Sequence, residues 1–362
     1  MHPRLLLTLP ALLLVILLGL ALAANSPAAT PNPKLIRIGI ATAGVGQPPR
    51  ITAGALAQVQ ANRELEKEFE KDGTQIEWVF FKGEGPAVNE ALSNKQLDFA
   101  LQGDLPAVVG RSVGLDTRLV LVAGSRATIY LAARPDAGIN SVADLRGKRI
   151  AFHKGTATQL AVNRILATAG LSERDVRVVN LDPAASLAAF KSGDLDAIFG
   201  GIGLLRYRDQ GLARLVFSSK QMPTATTPSH LLVVQPFAQA YPEATKRVVK
   251  VLARAAHWVS EEQNRDTAFK LWASAGSITE AMYQEEYQGV SLRQRQSPQF
   301  DPFIVARDKQ AVEDAYRFKL IRKKFDVDQW IDSRYLDAAL KELKLENYWP
   351  KYDANGNQIG KA

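Results

Sequence analysis

A chain of 362 residues with 46% hydrophobic and 23% charged content can bury a large core or build two domains, and it is excluded from the disordered and fibrous classes. It has no cysteine, which excludes disulfides, thiolate metal sites and a lipidated N-terminal cysteine. The net charge of +8 is interleaved with Asp and Glu; its densest clusters, Arg322-Lys323-Lys324 and Arg293/Arg295, read as solvated faces, so no nucleic acid is expected as a partner.

Along the chain, Met1–Arg4 is positively charged, Leu5–Leu22 is apolar, and Ala21-Leu22-Ala23 has the small-x-small pattern cut by signal peptidase. Residues 1–23 are therefore expected to be a cleaved signal peptide; a retained membrane anchor is the competing reading, opposed by Pro10, Gly19 and the soft segment that follows. Residues 24–34 read as a linker. Leu35–Ile40 alternates as a strand, followed by a loop containing Gly44 and Gly46. Leu56–Lys71 has helical spacing. Strands are predicted over 76–81, 97–101, 118–123 and 128–133, with a short helix over 87–94. The pattern then restarts: strands at 150–152, 176–180 and 195–199 alternate with helices at 158–169 and 184–192. From Tyr241 onward the chain is mainly helical, with Trp258 and Trp272 at core spacing. Two passages, ALSNKQLDFALQGDLP and AAFKSGDLDAIFGGIG, share a helix, a polar turn, an L-D-x-A strand and a glycine loop. This grammar predicts an α/β protein of two similar lobes with ligands at the carboxyl ends of the strands.

Motifs for catalysis are missing. There is no HExxH and no histidine pair at metal-binding spacing, G-x-S-x-G is absent, and Gly147-Lys148 lacks the rest of a P-loop. Gly44-Val45-Gly46 meets Pro49 where a dinucleotide fingerprint needs its third glycine. No catalytic residue, metal or cofactor is expected.

What remains is binding chemistry. Lys154-Gly155-Thr156 leads from a strand into a helix whose free N–H groups, with the Thr156 and Thr158 hydroxyls, make an anion seat. His153 beside it is expected to point away from the cleft by strand alternation, and Lys154 to be solvated. Gly103 permits close backbone approach; Asp104 either caps the next helix or binds a cationic group, capping being preferred. Ser125, Thr128 and His230 stand where the chain would leave and re-enter the first lobe, facing the cleft or serving only the hinge.

The run from WVFFKGEGPAVNEAL through LDFALQGDLPAV, SVADLRGKRIAFHKGTATQLAVNRIL and GLSERDVRVVNLDPAASLAAFKSGDLDA resembles the periplasmic substrate-binding proteins for aliphatic sulfonates, taurine and nitrate, a family that includes thiamine-pyrimidine precursor binders. The resemblance spans about Leu35 to Leu345. It implies a type II periplasmic binding fold with two crossover strands, at 129–133 and 230–235. Lobe one would hold 35–128 and 236–362, and lobe two 134–229. It also implies ligand contact from Thr42, Gly44 and Gly46, from Gln102, Gly103 and Asp104, and from Lys154, Gly155, Thr156 and Thr158; Ser125, at the lobe exit, joins this set from its chain position alone. Gly200 and Gly201 stand where many members carry a Trp-Asp-Pro segment, making room for a bulkier ligand or supplying backbone donors.

The function implied is a periplasmic, monomeric binding protein that captures a small anion, foremost a sulfonate, and delivers it to the permease of an ABC importer. A nitrate- or pyrimidine-type ligand and a sensor presenting its closed form to a membrane receptor are the alternatives. The pyrimidine-forming enzymes of this fold depend on a cysteine-rich site that this chain lacks.

Overall fold

The apolar alternation of Leu35–Ile40 forms β1, which runs parallel to β2 (Gln75–Phe80) on one side and to β3 (Phe99–Gly103) on the other. The structure is a computed structural model that describes residues 32–276 and 278–360; the expected signal peptide, and the linker as far as residue 31, lie outside the described residues. Among the described residues no helix is long and apolar enough to cross a membrane.

The first sheet has the order β2-β1-β3-β10-β4, with β4 at Thr117–Ala127 and β10 at Thr227–Val234. The second has the order β7-β6-β8-β5-β9, from β5 (Tyr130–Ala133), β6 (Arg149–Phe152), β7 (Arg177–Asn180), β8 (Ala197–Gly200) and β9 (Arg214–Ser218). In both sheets three parallel strands are followed by one antiparallel strand, β10 or β5, and then by an edge strand.

Helices cover both faces, as parallel strands require. In the first lobe these are α1 (Gly54–Ala61), α2 (Glu64–Phe69), α3 (Glu84–Ser93) and α4 (Asp104–Ser112). The second lobe adds α5 (Ala157–Thr168), α6 (Pro183–Ser192) and α7 (Leu205–Asp209). The chain then returns to the first lobe with α8 (Gln235–Ala240), α9 (Pro242–Ser260), α10 (Arg265–Ala273), α11 (Glu280–Glu286), α12 (Leu292–Arg295), α13 (Pro302–Arg317) and α14 (Arg334–Leu343). Ile36, Ile38, Ile40 and Phe99 pack one face of the first sheet against α1 and α9; Ala100, Leu119 and Leu232 pack the other against α3, α4 and α13. Trp272 is fully buried as its spacing predicts, whereas Trp258 is only partly buried.

Two differences from the sequence reading have local causes. The helix expected over 56–71 is broken at Arg63, which takes a left-handed backbone (φ +55°) and caps α2. The passages between the sheets are Thr128–Ile129 and Ser219–Thr226, because Tyr130–Ala133 pairs wholly within the second sheet and Ser229–Val234 within the first. Alternation marks a strand without saying which sheet receives it.

The repeated L-D-x-A passages prove to be one device used twice. In the first sheet the Asp98 carboxylate accepts from the backbone N–H of Arg37 at 2.8 Å and from its Nε and Nη2 at 3.0 and 2.8 Å. In the second, Asp196 accepts from the Arg149 backbone N–H at 2.8 Å and from its Nε and Nη2 at 3.3 and 2.7 Å. Each pair locks the first of a sheet's three parallel strands to the third and so fixes which βα loops stand together at the far end.

A buried cation joins the lobes. Arg164 of α5, 6% exposed, donates through Nε to Asp314 of α13 at 2.8 Å and through Nη1 to the Thr224 carbonyl at 3.0 Å. Its Nη1 also stands 3.9 Å from Asp104 of α4. Burial pushes the Asp104 carboxyl up to about 6, against the pull of Arg164. Next to it, His230 Nε2 lies 3.2 Å from Asp308, off the line of a hydrogen bond; burial opposes its charge, but the Asp308 carboxylate overrides this and raises its pKa.

Removing Arg164 strands buried carboxylates, a change that typically costs about 3–5 kcal/mol. Arg164→Met is expected to lose about 3 kcal/mol in urea unfolding at pH 7.5, since Arg317 still serves Asp314. Because the Asp104 pKa is raised, its stabilisation is full below the ordinary carboxylate range and is lost as pH rises through about 6. The deficit should therefore shrink at pH 5; a loss that is small and independent of pH contradicts the clamp.

Candidate functional site

The C-terminal ends of β6, β7 and β8 open into a cavity of about 290 Å³. β6 ends on Phe152 with His153 just after it, and Leu181 from the loop after β7 and Pro183 from the start of α6 follow. Ile198, Phe199 and Gly200 at the end of β8 and Gly201, Gly203 and Leu204 after it form one wall, Thr158 projects from the first turn of α5, and Ser186 and Leu187 from α6. Glu84, at the start of α3, is the contribution of the first lobe. The wall is mostly apolar with a few polar groups, as ligand sites are.

Glu84 and His153 close the cavity across the lobes, with Glu84 Oε2 2.8 Å from His153 Nδ1. Burial raises the Glu84 carboxyl above its ordinary value, and the hydrogen bond and charge of His153 act against that rise. Glu84 also holds a left-handed backbone (φ +51°), a strained conformation for a residue with a side chain. At the rim, Lys82 stands 3.8 Å from Asp182, whose side chain caps α6 by accepting from the Ala185 N–H.

The remaining donors are neutral. Thr158 and Ser186 supply hydroxyls, although Ser186 Oγ also reaches the Leu181 carbonyl at 3.3 Å. The tight turn Ile202–Leu204 begins at this wall, and its first N–H groups have no carbonyl partner within the turn. A Cβ built on Gly203 would meet no atom within 4 Å, and one on Gly201 would approach only the Thr128 carbonyl at 3.9 Å. These glycines leave space that a side chain would fill.

Of the residues singled out from the sequence, the fold brings His153, Thr158, Gly200 and Gly201 to this cavity. The rest of the Lys154–Thr156 seat is occupied by the chain itself. The Gly155 N–H donates to Gln159 Oε1 at 2.7 Å, the Lys154 N–H donates to Asn180 Oδ1 at 2.9 Å, and Thr156 Oγ1 donates to the His153 carbonyl at 2.7 Å. Lys154 itself turns to Glu173 at 3.2 Å. Gly155 and Gly103 serve lobe contact: a Cβ on Gly155 would lie 2.8 Å from Pro86, and one on Gly103 2.6 Å from Ala157.

Gln102 is buried and donates to Asn89 at 3.2 Å; Asp104 accepts from the Leu105 N–H and faces Arg164. Thr42 accepts from the Gly44 N–H, and that loop, with Gly46, folds back on Phe80, Pro49 and Arg50. Ser125 donates to the Gln294 carbonyl at 3.2 Å, apart from the cavity. His153 reverses its expectation by facing the cleft, because it follows the last strand residue and escapes the alternation. Glu84, Ser186 and Leu187 were missed; the only signal for Glu84 was its place in the loop after β2.

Comparison with known proteins adds four likenesses. A family model described as NMT1/THI5 like matches residues 69–265. A protein of Bacillus subtilis (strain 168) named for aliphatic sulfonate binding is 27% identical over 283 residues, 77% of this chain and 82% of that protein. Among solved structures, the periplasmic sulfonate-binding protein SsuA of Methylobacillus flagellatus KT is 29% identical, covers 88% of this chain and 98% of its own, and superposes with a TM-score of 0.74. The alkanesulfonate-binding SsuA of Xanthomonas axonopodis pv. citri, bound to MOPS, is 26% identical with a TM-score of 0.70, covering 83% and 99%.

The Glu84–His153 contact is directly measurable. In His153→Ala the Glu84 carboxyl should titrate at higher pH than in the parent, because burial remains and its partner is gone. Carboxyl carbon NMR titration reads this, and an unchanged Glu84 midpoint contradicts the pairing.

Proposed function

The chain belongs to the NMT1/THI5-like family, and on that footing we propose that it is an exported binding protein that closes around a small organic sulfonate and delivers it to the permease of an ABC importer. The observation that carries this reading is the cavity at the carboxyl ends of β6, β7 and β8, apolar along most of its wall and closed from the other lobe by Glu84. A sulfonate head group needs donors without needing a cation. Closure would desolvate it against the Thr158 and Ser186 hydroxyls and the N–H groups after Gly201. The apolar residues Phe152, Leu181, Leu187, Ile198 and Leu204 would take its hydrocarbon part.

The names of the similar proteins point the same way, since those above are named for sulfonate or alkanesulfonate binding, one of them bound to MOPS, a sulfonate carrying a ring. Gly200 and Gly201 bear on the choice within the class. A taurine-like ligand brings an ammonium group that wants a free carboxylate, and Glu84, the one carboxylate on the cavity wall among the described residues, is already held by His153. The open wall at Gly201 and Gly203 suits a bulkier, uncharged tail instead.

Octanesulfonate is expected to raise the melting temperature of the chain, and taurine is not. Saturation at about a hundred times Kd corresponds to about 2.7 kcal/mol. Gly201→Leu, which fills the wall, should weaken octanesulfonate binding at least about tenfold, or 1.4 kcal/mol. Calorimetric titration checks both, and equal affinity for taurine, or an unaltered Kd in Gly201→Leu, contradicts the reading.

A further inference from the structure

A second recess, of about 250 Å³, lies beside the edge strands β4 and β9 and shares no lining residue with the first cavity. Arg126 and Thr128 border it from the end of β4 and the first passage, Lys220 and Thr226 from the second passage, and Gln294 and Arg295 from α12. Arg295, expected from its sequence to be solvated, is only 7% exposed.

Three cationic residues line this recess, and the carboxylates near it are already engaged. Glu286 accepts from Arg295 Nη1 at 2.7 Å and from the hydroxyls of Thr128 and Tyr130, both at 2.6 Å. Lys220 Nζ lies 3.8 Å from Glu286 and donates to the Glu285 carbonyl at 3.1 Å, while the Glu285 carboxylate is paired with Arg208. Asp301, the acid toward Arg126, caps α13 and accepts from the Tyr352 N–H. Arg126 makes no ion pair among the described residues, and burial lowers its pKa from the ordinary value.

The two guanidinium groups are also held in a particular way. Arg126 Cζ sits 3.8 Å from the centre of the Phe303 ring, and Arg295 Cζ sits 4.4 Å from that of Tyr287. Stacking uses the flat faces and leaves the in-plane N–H edges for acceptors. Arg126 Nη2 and Arg295 Nε are both buried with no acceptor among the described residues. Buried charged donors of this kind call for a partner. Arg126 adds a left-handed backbone (φ +57°), strain of the sort stored at ligand sites.

We propose that this recess is a second anion site, which takes a small tetrahedral oxyanion between Arg126, Arg295 and Lys220. The ion completes the donors that Glu286 leaves over and touches both passages between the lobes. The site is independent of the sulfonate reading, since it uses none of the residues of the first cavity.

The test is titration of inorganic sulfate into the nitrogen-15-labelled full chain at constant ionic strength set with chloride. The side-chain Nε–H signals of Arg126 and Arg295 are followed after assignment with Arg126→Lys and Arg295→Lys. Both signals should shift saturably with one common Kd, and inorganic phosphate should reproduce the shift. Lys220→Ala, a change at an exposed side chain, should weaken the Kd about tenfold. Gly201→Leu, which fills the first cavity, should leave it unchanged. A linear drift shared with exposed arginines overturns the site, as does insensitivity to Lys220→Ala. Loss of the shift in Gly201→Leu overturns it too, because the signal then comes from the cleft.

Discussion

One guanidinium ties the two halves of this protein together. Arg164 leaves α5 of the second lobe and ends among Asp314, Asp104 and the Thr224 carbonyl, so a single buried charge touches α13, α4 and the returning passage. A cation taken out of water is tolerated only where acceptors surround it, and here most of those acceptors belong to the other lobe. The cavity, Glu84 and the stacked turns at Gly103 and Gly155 all require the lobes to meet at this depth. Asp104, made reluctant to ionise by its burial, sits between this clamp and the loops that face the cleft.

Within each lobe the positioning is done by strand order. The Arg37–Asp98 and Arg149–Asp196 locks hold the amino ends of the first and third parallel strands of each sheet together, and the opposite ends then deliver their loops to the cleft. Those loops carry the irregular geometry. Glu84 is strained, Gly201 and Gly203 leave the wall open, and Gly155 admits Pro86. Regular sheets supply rigidity and the loops supply chemistry, the usual division in α/β proteins that bind ligands at the carboxyl ends of their strands.

Much of this was legible in the sequence. Alternation and helical spacing gave the strands and helices in order as far as β8 but not α7 or β9, and the duplicated L-D-x-A passage gave the two lobes, because a lock between the same parallel strands demands the same residues twice. Of the cavity residues, Thr158, Gly200 and Gly201 were legible from loop position. The long-range pairings were not. Nothing local marks Glu84 as the partner of His153 across 69 residues, or Arg295 as a buried cation instead of a solvated one. The Lys154–Thr156 loop shows the converse case: its Lys154 and Gly155 N–H groups are taken by Asn180 and Gln159, pairings that local grammar does not show.

The central claim is that a sulfonate lies in the cavity between Glu84 and the Gly200–Leu204 wall. A crystal structure of the chain with a bromine-tagged alkanesulfonate tests it most directly, because the anomalous signal of bromine locates the tail without ambiguity. The account predicts a single bromine peak among Phe152, Leu187 and Leu204, with the head group on Thr158, Ser186 and the N–H groups after Gly201. A peak outside that wall, or a ligand found only at the Thr42–Gly46 loop, contradicts it.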